Sequence, residues 1–295
     1  MFPQISIIIP VYNKEVCISK TLESVLSQKY SNFEIIIVDD GSTDKSAAII
    51  KSITDSRLRY IYKENGGPSS ARNFGVKNSK GEWILFLDAD DMLCPDALEH
   101  FYNLVNKYHG IKCFCTNHYS LCNGKKKIYS HIYKSGVVKN PFKSWLYKSF
   151  MPRAGAALFH KDIVFKYEHK SNLRRYEDAD FLFNIMRNEK FVSSKKPVMI
   201  YNHDSLSASK ARRDIKEDFL AYLSIEGKEH WEKVVLLDLF FQCKILYPSE
   251  CKRLYDESDF CQQDIIKDYL LSKRVVRIKN LFNKILDCLH LNIII

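Results

Sequence analysis

Three carboxylates in four residues, Asp88, Asp90 and Asp91, follow directly on the apolar run Trp83-Ile-Leu-Phe-Leu87. A near-continuous apolar run of that length predicts a strand buried on both faces. Its acids then fall at the carboxyl end of the strand, where open α/β sheets bind ligands. Carboxylates so close together repel one another unless water, hydrogen bonds or a cation offsets them. Hard oxygen donors suit Mg²⁺ or Mn²⁺, with a substrate phosphate completing the coordination. The competing reading is a solvated turn before a helix that starts at Pro95 and Asp96. A second acidic group lies in Arg174-Arg-Tyr-Glu-Asp-Ala-Asp-Phe181, opening a helix whose apolar face is Phe181, Leu182, Ile185 and Met186. Favourable interaction with the helix dipole is by itself enough to account for Glu177 and Asp178.

The elements that must position these groups come in alternation. Ile5 to Val11 reads as a first strand, Lys14 to Gln28 as a helix with an apolar stripe, and Phe33 to Val38 as a second strand. Asp39-Asp-Gly-Ser-Thr-Asp44 follows, with Ser42 or Thr43 placed to cap a helix through Ile50. Leu58 to Tyr62 is a short third strand, and Glu64-Asn-Gly-Gly-Pro68 leads into a helix from Ser69 to Asn78 with Ser69 or Ser70 as its cap. Such alternation calls for a parallel sheet. Five of the ten glycines lie in the turns before Trp83, where they suit close approach of the backbone to a phosphorylated ligand. Beyond a helix from Pro95 to Tyr108, Asn123-Gly124 joins Ile111–Tyr119 to Lys127–Tyr133 as a hairpin. Cys113, Cys115, His118 and Cys122 lack the second Cys-x-x-Cys knuckle of a zinc site, and alternation turns Cys113 and Cys115 to one face as small core residues. Gly155 to Phe159 and Val198 to Tyr201 are the last strands.

Composition narrows the partners. The 295 residues carry a net charge of +10, which favours an anionic partner or simply keeps the surface soluble. Nucleic acid is not expected, because no binding module or aromatic-basic stacking surface accompanies the charge. The nine scattered cysteines suggest reduced thiols, and Met1-Phe-Pro-Gln lacks the basic start of a secretory signal. No run approaches the roughly 20 apolar residues that span a bilayer. The expected location is cytoplasmic, or peripheral on the inner face of the cell membrane.

Taken in order, these pieces resemble the family 2 glycosyltransferases. Ile7-Ile-Ile-Pro-Val-Tyr-Asn13 is similar to the family's opening strand, and Val38-Asp-Asp-Gly-Ser-Thr-Asp44 to its second-strand signature. Asn65-Gly-Gly-Pro-Ser-Ser-Ala-Arg-Asn-Phe-Gly75 resembles its loop–helix element, Asp88-Ala-Asp90 its metal-binding Asp-x-Asp, and Tyr176-Glu-Asp-Ala-Asp-Phe181 its acceptor-side Glu-Asp motif. Tyr201-Asn-His203 with Ser207 resembles the segment that closes the donor site. The resemblance implies an α/β GT-A fold, a Rossmann-like mixed sheet flanked by helices. Residues 1–210 would be catalytic, with 1–110 as the nucleotide-binding half and 111–210 as the acceptor-side half, and 211–295 would be a helical C-terminal extension. It further implies an inverting, metal-dependent transfer of a sugar from a nucleotide donor, UDP favoured, to a hydroxyl of a glycan or lipid-linked saccharide in surface polysaccharide, lipopolysaccharide or capsule synthesis. A catalytically silent, membrane-associated partner subunit is the alternative. By this resemblance Pro10, Tyr12, Asp40 or Asp39, Asn65, Gly66, Arg72, Asp88, Ala89 and Asp90 would bind the nucleotide sugar. Asp90, Asp88 and His203 would hold Mn²⁺ or Mg²⁺, with Asp91 a competing ligand, and Asp178 would be the general base.

The resemblance fades after Arg212. Leu271, Val275, Ile278, Phe282, Ile285 and Leu289 fall on one helical stripe, with Lys273, Arg274, Arg277, Lys279 and Lys284 largely elsewhere. A basic amphipathic helix of this kind suits an anionic membrane surface, and packing back onto the catalytic domain is the competing expectation.

Overall fold

The computed structural model describes residues 5–129, 132, 134–203, 214–243, 246–249 and 262–288. The first half is a β/α alternation: β1 (Ile5–Val11), α1 (Ile18–Leu26), β2 (Phe33–Asp40), α2 (Ser46–Lys51), β3 (Leu58–Lys63), α3 (Pro68–Lys77) and β4 (Trp83–Phe86). Next come β5 (Met92–Leu93), α4 (Ala97–Lys107), β6 (Cys113–Cys122), β7 (Lys125–Ile128), β8 (Gly136–Val137), α5 (Pro141–Leu146), β9 (Ala157–His160), α6 (Lys161–Lys166), α7 (Glu177–Asn188) and β10 (Phe191–Asn202). Short 3₁₀ turns at Ile215–Glu217 and Phe219–Tyr222 precede α8 (His230–Cys243) and α9 (Gln263–Cys288). One sheet runs β3-β2-β1-β4-β9-β6-β10-β5. Its β3-β2-β1-β4 portion is parallel, β9 is antiparallel to both neighbours, and β10 runs parallel to β6.

The apolar runs are continuous because both faces are covered. In β1, Ile5, Ile7, Ile9 and Val11 join the cluster containing Ile18 and Leu22 of α1, whereas Ile8 joins the opposite cluster. Helix α3 packs so closely on β1 that a Cβ at Gly75 would lie 2.4 Å from Cγ2 of Ile8. Parallel pairing aligns the strand ends, with Val11 opposite Asp39 and Ile8 opposite Phe86. The loops carrying Tyr12, Asp40 and Asp88 therefore leave one edge of the sheet together.

Several expectations are corrected. Strand β2 runs on through Asp39 and Asp40, since its pairing with β1 and β3 continues to those residues. Helix α2 starts at Ser46, whose N–H donates to Asp44 Oδ1, and Ser42 accepts instead from the Asn13 N–H. Helix α3 starts at Pro68 after Gly67, whose φ of 86° is open to glycine, and no serine caps it. Strand β10 is far longer than Val198–Tyr201, because its first part, with Ser193 and Ser194 buried, pairs with β6 despite having no apolar pattern. The expected hairpin is present as β6–β7, with Asn123 and Gly124 both at positive φ. Its expected extension through Tyr133 falls partly outside the described residues, as does Ser207. Cys113 and Cys115 are buried core residues, and burial pushes the Cys115 thiol up to about 12.

Helix α8 contributes Val234, Val235, Leu237 and Phe240 to the same buried cluster as Phe159, Phe183 and Phe191. Helix α9 packs back on α8 through the Tyr269–Phe241 stack, a His230–Asp268 contact of 2.7 Å and a Lys273–Asp238 ion pair. Its inward residues are Ile265, Ser272 and Val276; Val275 of the expected stripe is half-buried, and the side chains of Phe282, Ile285 and Leu289 lie outside those described. Leu271 and Ile278 of that stripe lie exposed at 46% and 58%. Among the described residues no helix is long and apolar enough to cross a membrane.

Candidate active site

A cavity of about 920 Å³ opens at the carboxyl edge of β1, β2 and β4. Pro10 lines it from the end of β1, Tyr12 and Lys14 from the loop that follows, Asp40 from the end of β2, and Asn65, Gly67 and Arg72 from the entry to α3. Asp88, Ala89 and Asp90 follow β4, Arg153 and Ala154 precede β9, and Arg174 to Asp178 lead into α7. Gln242 and Leu246 bring the C-terminal region to the same wall.

Asp40 organises the loop that leads into α3. Its carboxylate accepts from the Gly66 and Gly67 N–H groups at 2.9 and 2.7 Å and from Lys63 at 2.6 Å. A strand-end acid thereby takes over the capping task expected of Ser69 or Ser70, where orphan N–H groups and the helix dipole favour negative charge. Asp39 points elsewhere: it is fully buried, accepting from the Ser42 N–H and the Tyr60 hydroxyl, and that bond raises the Tyr60 phenol further than burial alone does. Asp39, Gly66 and His203 are not on the cavity wall, and the His203 ring sits edge-on to Tyr201 at 4.5 Å.

The buried Arg72 guanidinium joins the segment after β4 to the start of α7. It donates to Asp88 at 2.9 Å and to Glu177 at 3.1 Å. Burial works against its charge, and the Asp88 and Glu177 carboxylates more than reverse that effect. Burial pushes the Glu177 carboxyl up, with Arg72 pulling it partly back and the adjacent Asp178 pushing it further up. Glu177 thus fixes the start of α7, and Asp178 Oδ1 accepts from the Ala179 N–H at 2.9 Å. On the other side Asp90 accepts from Lys14 at 2.5 Å, and the Ala89 carbonyl accepts from Thr21 at 2.9 Å.

Sequence reasoning left out Lys14, Arg153 and the bridging role of Glu177. Glu177 was visible within the Glu-Asp segment and Lys14 next to Asn13, whereas Arg153 stands in no motif. Among the described residues no group of three or more His, Cys, Asp or Glu side chains is gathered for a metal. Two carboxylates nonetheless fit a hard divalent ion that takes its other ligands from a diphosphate. Asp91 marks the local potential: burial and the charges of Asp88 and Asp90 push its carboxyl well up, against a hydrogen bond from the Asn202 N–H.

The family model described as glycosyl transferase family 2 matches residues 6–167, more than half of the chain. The chain belongs to that family, and its mixed sheet with flanking helices is the GT-A fold. An uncharacterised glycosyltransferase of Rickettsia typhi is 49% identical over 105 residues, covering 36% of this chain and 33% of that one. Glycosyltransferase GlyA of Streptococcus pneumoniae serotype 4 is 40% identical over 131 residues, covering 44% of this chain and 19% of GlyA. The chain therefore spans a third or less of the length of these relatives. The crystal structure of S. aureus TarS 1-349 in complex with UDP-GlcNAc superposes with a TM-score of 0.68 at 19% identity, covering 92% of this chain and 82% of that chain.

Removing Arg72 would leave the Glu177 carboxylate buried without its cation. Arg72→Met is expected to cost roughly 3–5 kcal/mol in urea unfolding, and the double variant Arg72→Met/Glu177→Met to recover part of that. Additive losses would show that the two side chains do not act as a pair.

Proposed function

We propose that the protein transfers a sugar from a nucleotide donor, UDP favoured, to a hydroxyl of a glycan or lipid-linked saccharide, with inversion at the anomeric carbon. The observation that carries this reading is the meeting of Asp88-Ala-Asp90 and Asp178 on the wall of one cavity. TarS, which shares the fold, has been crystallised with UDP-GlcNAc and with UDP, which supports a uridine donor. Tyr12, half exposed at the cavity, offers an aromatic face to the base, while Pro10, Asp40 and Asn65 border the same end. Arg72 orients Asp88 toward the ribose or the metal.

In the reaction Asp178 takes the proton of the acceptor hydroxyl as its oxygen bonds to the anomeric carbon. The bond from that carbon to the diphosphate breaks from the opposite side, and its electron pair stays with the diphosphate. Asp90 and Asp88 would hold Mn²⁺ or Mg²⁺, which when bound supplies Lewis-acid stabilisation of the leaving diphosphate. His203 lies off the wall and is given no part in this. The biological setting that fits the family is synthesis of a bacterial surface polysaccharide, lipopolysaccharide or capsule.

The donor reading is tested by thermal shift of the purified chain against a panel of nucleotide sugars. One uridine sugar at about 100 times its Kd should stabilise the fold by about 2.7 kcal/mol in Mn²⁺. Chelator, or Asp90→Ala, should remove most of that gain. A panel without response in any metal would count against the reading.

The outward face of α9 suits contact with an anionic membrane. Leu270, Leu271 and Ile278 are exposed there beside exposed Lys267, Arg274 and Arg277. The full chain should float with vesicles containing phosphatidylserine, and Leu271→Asp/Ile278→Asp should stay in the soluble fraction. Equal behaviour of the two would end the membrane idea.

A further inference from the structure

Arg153 lines the cavity beside Asp88 and Asp90, and its position is built by several independent contacts. The Gly155 N–H donates to the Phe86 carbonyl at 2.5 Å, fastening the Arg153 loop to the end of β4 two residues before Asp88. Gly155 itself has φ 78°, and a Cβ there would lie 3.0 Å from Leu87 Cδ1, so the loop is seated tightly. The guanidinium carbon lies 3.8 Å from the centroid of the Tyr201 ring, and Nη1 donates to His118 Nε2 at 3.3 Å. His118 is fully buried, and its pKa is pushed down to about 3, first by burial and then by the Arg153 charge. It is therefore a neutral acceptor, aligning the arginine without cancelling its charge.

The other cations near the acidic loop are committed differently. Lys14 is held on Asp90, and Arg72 is shared between Asp88 and Glu177. Arg153 is held by an aromatic face and a neutral imidazole, with Asp91 close enough to sense its charge. A guanidinium held over a ring through one contact and on an imidazole through another keeps further N–H groups for an anion, and its planar fork suits two-point contact with phosphate oxygens. A diphosphate entering beside Asp88 and Asp90 meets two carboxylates, with Asp91 buried behind them, so a fixed cation there has a clear electrostatic purpose.

We propose that Arg153 binds the diphosphate of the donor and takes up the charge left on it when the sugar departs, an inference that rests on the nucleotide-sugar reading above. The electron pair of the broken carbon–oxygen bond ends on a diphosphate oxygen facing the guanidinium, while the acceptor proton goes to Asp178. No further reactant is needed.

The rival explanation is that Arg153 only balances buried Asp91. Isothermal titration of the full chain with UDP and with uridine, in Mn²⁺ and in chelator, separates the two. Arg153→Gln should weaken UDP binding roughly 10- to 100-fold and leave uridine binding within about twofold. Arg153→Lys, which keeps the charge and loses the planar fork, should weaken UDP binding roughly 3- to 10-fold and covers the case in which the glutamine variant does not fold. The double variant Asp91→Asn/Arg153→Gln should keep the loss. Unchanged UDP affinity in the single variants, or restored affinity in the double variant, would overturn the assignment while leaving the donor reading in place. A wild-type chain that binds neither UDP nor any uridine sugar would overturn the donor reading, and this inference with it.

Discussion

Arg72, 6% exposed, reaches from helix α3 to Asp88 after β4 and to Glu177 at the start of α7. A buried cation of this kind is tolerated only while its carboxylate partners stay in place, so the three segments are obliged to keep one arrangement. Asp178 follows Glu177 directly, and Asp88 begins the Asp-x-Asp. The position of the proposed base is thus tied by a single residue to the position of the proposed diphosphate site. Gly75, packed against Ile8 one turn along the same helix, holds α3 close enough to the sheet for that reach.

Around this bridge the cavity balances charge locally. Lys14 sits on Asp90, Lys63 and two loop N–H groups on Asp40, and Arg153 lies close enough to Asp91 for its charge to be felt there. Concentrated carboxylates are costly in a partly buried site, and these contacts lower that cost before any ligand arrives. Arrangements fixed in advance are also what stabilises charge that develops during a reaction.

Much of this was legible from residue order. The strands β1, β2 and β4 announced themselves because their burial on both faces writes a continuous apolar run, whereas the half-exposed edge strand β3 does not. The Asp88-Ala-Asp90 and Glu177-Asp178 segments stood out because, in this order along the chain, they resemble two motifs of the family. What the sequence hid depends on partners far along the chain. Asp40 caps α3 from a strand end 28 residues before Pro68, a relation that local capping rules do not reach. Polar Ser193 and Ser194 conceal the first part of β10, whose place is decided by pairing with β6. Arg153 owes its orientation to Tyr201 and His118, on two other strands. In α9, Leu271 and Ile278 of the expected stripe lie exposed, and the face that meets α8 is set by Tyr269, Asp268 and Lys273.

The central claim is a division of labour, with Asp88 and Asp90 serving the donor and Asp178 serving the acceptor. Its most direct measurement compares donor binding and transfer in Asp178→Asn, which changes one oxygen and preserves size. Donor affinity is expected within about twofold of wild type and transfer lowered by roughly 10²–10⁴, the usual contribution of a positioned base. Near-normal turnover in that variant, or loss of donor binding in step with turnover, would contradict it.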